Sequence, residues 1–152
     1  MMTTQAAFGF PILGFTPDRE IWGFQNLDAL TRCGPRTLKD DMQAGMELID
    51  ADGRRWLVRS VRRTGRAGSL LSLLLSFGYA QSRIEQELEP LPPVTLEEAK
   101  ARACAAVEAF SSDYCQDDER DTVLAPLLEQ VKASATIADI YRILQPDTFE
   151  GY

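Results

Sequence analysis

The sequence predicts an α+β fold in one domain: an antiparallel sheet of about five strands over residues 8–91, then two or three helices over 95–145. Three observations predict it. The first is Gly45 to Gly65, where two apolar-rich runs, 46–49 and 56–61, flank Asp50-Ala51-Asp52-Gly53. An Asp-Gly pair between β-favouring runs marks a hairpin, because glycine takes the positive φ that a tight turn demands. The second is a change of texture at Pro92-Pro93, after which the apolar residues recur at helical spacing. The third is composition. With 45% hydrophobic and 26% charged residues, the 152-residue chain sits in the globular range and can bury a substantial core.

Residues 8–15 (FGFPILGF) read as a first strand, Thr16-Pro17-Asp18-Arg19 as a turn, and 21–24 as an antiparallel second strand. Asn26 caps a short helix over 27–33 that Gly34-Pro35 ends, and 36–43 reads as a loop or, alternatively, a short strand near 37–38. Both faces of the main hairpin carry apolar residues, which places it centrally in the sheet. Leu48, Leu57 and Val61 are expected on one face, with Ile49, Trp56 and Val58 on the other. Residues 62–69 read as a loop. The apolar run 70–80 is too short for a bilayer span and reads as a buried helix or irregular core segment. Residues 83–91 alternate Ile84, Gln86 and Leu88 against Glu85, Glu87 and Glu89, a pattern that suits a charged, exposed edge strand.

In the second half, Thr95 and Glu98 have capping-box spacing, and Leu96, Ala99, Ala103, Ala106, Val107 and Phe110 share a helical face. An acidic linker over 111–120 leads to a second helix near 121–134, whose Pro126 must lie in or near its first turn or kink it. Thr136 caps a third helix that ends before Pro146.

The chain has no histidine, which removes Ser-His-Asp and Cys-His chemistry and His-ligated metals. Its three cysteines, Cys33, Cys104 and Cys115, show no CxxC spacing, which argues against a disulfide framework or a zinc site and suits a reducing cytoplasm. No signal peptide and no membrane span is read in the sequence. No cofactor is expected. An EF-hand alignment on Gly53 puts Leu48 and Arg59 at ligand positions, so calcium binding there is excluded. The acidic group Asp117, Asp118, Glu119 and Asp121 reads as solvent-facing charge and favourable helix-start partners sooner than as a metal site. The arginines at 54, 55, 59, 62, 63 and 66 could face nucleic acid. A pI near 4.6 and their division between two faces argue instead for pairing with the Glu85/Glu87/Glu89 strand.

Charge is uneven along the chain: +2 over residues 1–76 and −9 over 77–152, which together give the net −7. An acidic surface steers and orients basic partners. A sheet carrying an Asp-Gly hairpin, then Pro-Pro and short acidic helices, resembles small bacterial immunity proteins of polymorphic toxin systems. The resemblance covers most of the chain in layout and contains no diagnostic motif, so no residue carries over from it. It implies a stoichiometric, non-enzymatic inhibitor of a basic protein partner. The candidate contacts are Glu85, Glu87, Glu89, Asp117, Asp118, Glu119 and Asp121, with Tyr114 as an aromatic anchor. The alternatives are a small carboxylate/arginine enzyme or ligand binder with a pocket between sheet and helices, and an assembly component oligomerising through 70–80.

Overall fold

The computed structural model describes residues 1–66 and 81–149; the predicted apolar core segment 70–80 lies outside them. Six antiparallel strands form one sheet in the order β2-β1-β4-β5-β6-β3: β1 (Ile12–Phe15), β2 (Ile21–Phe24), β3 (Arg32–Cys33), β4 (Glu47–Ile49), β5 (Arg55–Arg66) and β6 (Ser82–Leu91). The helices among the described residues are α1 (Leu27–Leu30), α2 (Pro35–Lys39), α3 (Leu96–Ala109), α4 (Ala125–Lys132) and α5 (Ile137–Leu144). The α+β class holds, with one strand more than expected and two short helices inside the β-rich half.

The Asp-Gly hairpin forms centrally, as β4 and β5. Gly53 sits at φ +83, and an added Cβ would lie 2.6 Å from the Val94 carbonyl oxygen, so both the turn and the passing chain require glycine. Asp50 is fully buried. Its carboxylate accepts hydrogen bonds from the backbone amides of Gly9, Asp52 and Arg54 and from Arg54 Nε, each at 2.9 Å. A buried carboxylate is tolerated where donors saturate it in this way.

The register pairs Leu48 with Trp56 and Ile49 with Arg55. Trp56 and Val58 therefore share the Leu48 face, contrary to the expected assignment, because directly opposed residues point the same way. A bulge between Val58 and Ser60 then shifts the phase, so that Val61 also packs on that side.

Each face of the sheet carries its own core. One packs Leu13, Phe15, Ile21 and Ile49 against Ala99, Ala103, Ala106, Val107, Val131, Ile137 and Ile140 of the helical layer. The other gathers Ile12, Trp22, Phe24, Leu30, Met46, Leu48, Trp56, Val58, Ile84, Leu88 and Phe149. Phe149 reaches this second core because the segment after α5 lies along β2: Gly23 N donates to Asp147 O, and Gly34 N to Phe149 O. Its ring stacks on Trp22 with centroids 4.0 Å apart. Gln86 is buried in the same core, where its amide nitrogen donates to Leu30 O and to Gln43 Oε1.

Several local expectations shift. The first strand begins only at Ile12, since Gly9 is drawn to the Asp50 turn. The Asn26 cap forms, yet its helix stops at Leu30, and Arg32 and Cys33 join β6 as strand β3. Cys33 is thus a fully buried strand residue, and burial pushes its thiol up to about 11. Residues 35–39, expected as loop, form α2 with Pro35 in its first turn. β5 continues to Arg66 through the expected loop, because β6 supplies a partner for its whole length.

β6 is interior, bounded by β5 and by β3 with a bridge from Met2, so its glutamates do not mark an open edge. The Thr95 and Thr136 caps form as read. The second predicted helix splits into a π turn, Arg120–Leu124, and α4, whose first turn accommodates Pro126. The wider turn delivers the chain to a proline that has no amide to donate.

Candidate functional site

The β1–β2 turn organises the two most distinctive clefts of the molecule. Thr16 N donates to Glu20 O at 3.0 Å, Arg19 N to Thr16 O at 2.9 Å, and Glu20 N to Thr16 Oγ1 at 3.0 Å. This closed turn fixes where Asp18, Arg19 and Glu20 project.

On one side lies an acidic groove made of two joined clefts. The first, about 370 Å³, is lined by Glu20, Trp22, Asp113, Tyr114, Leu144 and Asp147 among others. The second, about 280 Å³, is lined by Asp18, Glu20, Trp22, Asp40, Asp41 and Phe149 among others. Glu20 and Trp22 line both, so the two clefts adjoin. Among the described residues, six carboxylates line the pair, and no lysine or arginine lines either. Arg36, 3.6 Å from Asp40, is the one guanidinium among the described residues that pairs with any of the six.

The electrostatics follow from this convergence. The Glu20 carboxyl is raised above the ordinary glutamate range, first by burial and then by the charges of Asp113, Asp18 and Asp147; hydrogen bonding from Trp22 pulls the other way. Tyr114 is pushed up to about 12, again by burial first and then by Asp113, Asp147 and Glu20. Its phenol is therefore held neutral beside the carboxylates. Like charges held together in a partly dry cleft gain when a cation enters. The Trp22 and Tyr114 rings in the walls suit an organic cation, such as a guanidinium or ammonium group, in particular. Among the described residues, no three acidic or cysteine side chains come close enough together to hold a metal ion.

The sequence-predicted contacts distribute differently. Tyr114 lines the groove. Asp117, Asp118 and Asp121 are exposed on the neighbouring segment, and Glu119 caps its own turn by accepting from Gln116 N. Glu85 accepts from Arg62 at 2.9 Å and from Thr4 at 3.0 Å, which holds its carboxyl below the usual range. Glu89 pairs with Arg59, and Glu87 accepts from Ser60 Oγ at 3.2 Å. The three glutamates thus face partners within their own sheet.

Asp18, Glu20, Trp22, Asp113 and Asp147 escaped sequence reasoning, and Asp40 and Asp41 offer carboxylates in the sequence with no second group placed near them. They come from four separate stretches, and only the fold brings them together.

Beyond the turn, on the helical side of the sheet, a second cleft of about 330 Å³ is lined by Phe15, Thr16, Pro17, Arg19, Gly45, Glu47, Arg102 and Ala105. Thr16 and Pro17 are the wall it shares with the acidic groove. Compared with protein-family models, with curated proteins and with solved structures, the chain matches none. Among the described residues, no helix is long and apolar enough to cross a membrane.

Proposed function

We propose that the protein is a non-enzymatic binding protein that receives basic side chains of a protein partner in the acidic groove, acting as an immunity-type inhibitor. One observation carries this reading: among the described residues, six carboxylates and no lysine or arginine line two adjoining clefts, with Arg36 paired to Asp40 at the border. Such a surface attracts and orients a basic partner and repels phosphate backbones, so it disfavours nucleic acid as the target. The contact set moves from the β6 glutamates to Glu20, Asp113, Asp147 and Tyr114, with Asp18, Asp40 and Asp41 extending it.

The test is capture of partners from lysate of the source organism by the tagged protein and by a Glu20→Lys/Asp113→Lys variant, at low and moderate salt. The expected result is one stoichiometric basic partner, kept by the native chain, released as salt rises and lost by the variant. Equal retention by both proteins would sink the reading.

A carboxylate-based enzyme is favoured by one feature, the raised Glu20 carboxyl beside Asp113 in a cleft. That reading requires turnover of a substrate that Glu20→Gln abolishes while binding persists.

A further inference from the structure

The cleft on the other side of the β1–β2 turn has the opposite electrostatics, in a chain whose net charge is −7. Glu47 Oε2 accepts from Arg102 Nη1 at 2.6 Å and from Arg55 Nη1 at 3.5 Å, so one carboxylate oxygen answers two guanidinium groups. Arg55 does not line the cleft, and its Nε is buried without an acceptor. Arg102 Cζ lies 5.6 Å from the centre of the Phe15 ring, within cation–π range. Arg19 adds a third cation, and its side chain has no hydrogen-bond or ion-pair partner among the described residues. It is delivered by a backbone at φ +68, a conformation the Thr16 hydrogen bonds hold in place. Gly45, at φ +80, lets the chain pass close to Pro17, where an added Cβ would lie 3.0 Å from the proline ring.

Donors therefore exceed acceptors around a cleft whose lining also includes the apolar Phe15, Pro17 and Ala105. We propose that this cleft binds a small organic carboxylate. Its carboxylate sits between Arg19 and Arg102, and its apolar group lies against Phe15, Pro17 and Ala105. A planar carboxylate matches the guanidinium fork, and Glu47, which also lines the cleft, shows that Arg102 takes a carboxylate partner there. The apolar walls select an organic anion over a bare inorganic one. The site is separate from the acidic groove and does not depend on the partner proposed for it.

Benzoate is the probe, titrated into the full chain and read by amide chemical shifts. Saturable shifts are expected at Arg19, Gly45 and Ala105, with no comparable response to the neutral isostere benzamide and a weaker one to inorganic phosphate. Arg19→Gln keeps the same class of backbone at this position and an exposed side chain. It should weaken benzoate by about tenfold, the scale of a charged hydrogen bond, with an unchanged melting temperature. Asp113→Asn, across the turn, should leave benzoate affinity unaltered. The proposal is overturned by absence of saturation at tens of millimolar, by equal binding of benzamide, by phosphate binding tighter than benzoate, or by an Arg19→Gln variant of native affinity.

Discussion

Two regions of this molecule are rich in charge, and they handle it in opposite ways. On the β5–β6 arm, unlike charges meet: Arg62 faces Glu85, Arg59 faces Glu89, and Asp28 is shared by Arg32 and Arg83. In the groove beside the β1–β2 turn, like charges converge, and burial first, then their repulsion, raises the Glu20 carboxyl. The arm neutralises itself and leaves little for a partner to gain. The groove is left incomplete, and an incoming cation would complete it. A count of acidic residues along the chain does not separate these situations; only the neighbours in space do.

The largest expected effect undermines the groove from below. Phe149 is fully buried and supports Trp22, so Phe149→Ala should lower stability by about 3–5 kcal/mol in denaturant titrations, with loss of groove binding. Next comes the direct contrast between the regions. Asp113→Lys with Asp147→Lys should weaken binding of a short arginine-rich peptide by about tenfold or more, whereas Glu89→Lys should leave it near native. If reversal on the arm matters as much as reversal in the groove, the comparison fails.

A subtler effect concerns pH. A carboxyl raised in the folded state disfavours ionisation there, so it contributes stability below its unfolded pKa that is lost as pH rises through its folded value. Glu20→Gln should therefore melt higher than the native chain at neutral pH, an advantage that fades as the native carboxyl protonates, while peptide binding falls. Melting curves at neutral and at mildly acidic pH check the sign. The smallest effect belongs to the arm: Arg59→Ala should cost at most about 1 kcal/mol, since the Arg59–Glu89 pair is half exposed and solvent screens it.

The elements with local signatures were legible in the sequence. Asp-Gly announces the β4–β5 turn, Thr95 and Thr136 announce their helices, and the alternation of Ile84, Gln86 and Leu88 announces which face of β6 is buried. What escaped depends on partners distant in sequence. β5 runs on to Arg66 because β6 pairs with it, and the pairing of Leu48 with Trp56 decides which face Trp56 and Val58 share. The edge reading of β6 failed because Met2 and Arg32, far away in the chain, come to lie beside it.

Of the contact candidates read from the sequence, Tyr114 lines the groove, and the carboxylates beside it there are not among those candidates. The sequence concentrates acidity in the second half. Among the described residues the groove, in contrast, draws Asp18, Glu20, Asp40 and Asp41 from the first and only Asp113 and Asp147 from the second.

The Asp50 carboxylate holds more than its own turn. Through it and the adjoining Gly53, the entry to β1, the β4–β5 turn and the chain arriving at α3 meet at one point, since Gly9 N and Arg54 N donate to Asp50 and Val94 N donates to Gly53 O. Hairpin tips ordinarily fray and exchange their amide protons quickly, through local openings that leave the rest of a protein folded. Here no such opening is available without releasing three passes of chain together. In native-state hydrogen exchange, the amides of Gly9, Asp52, Arg54 and Val94 should thus be protected on the scale of global unfolding, making this turn one of the slowest-exchanging parts of the protein.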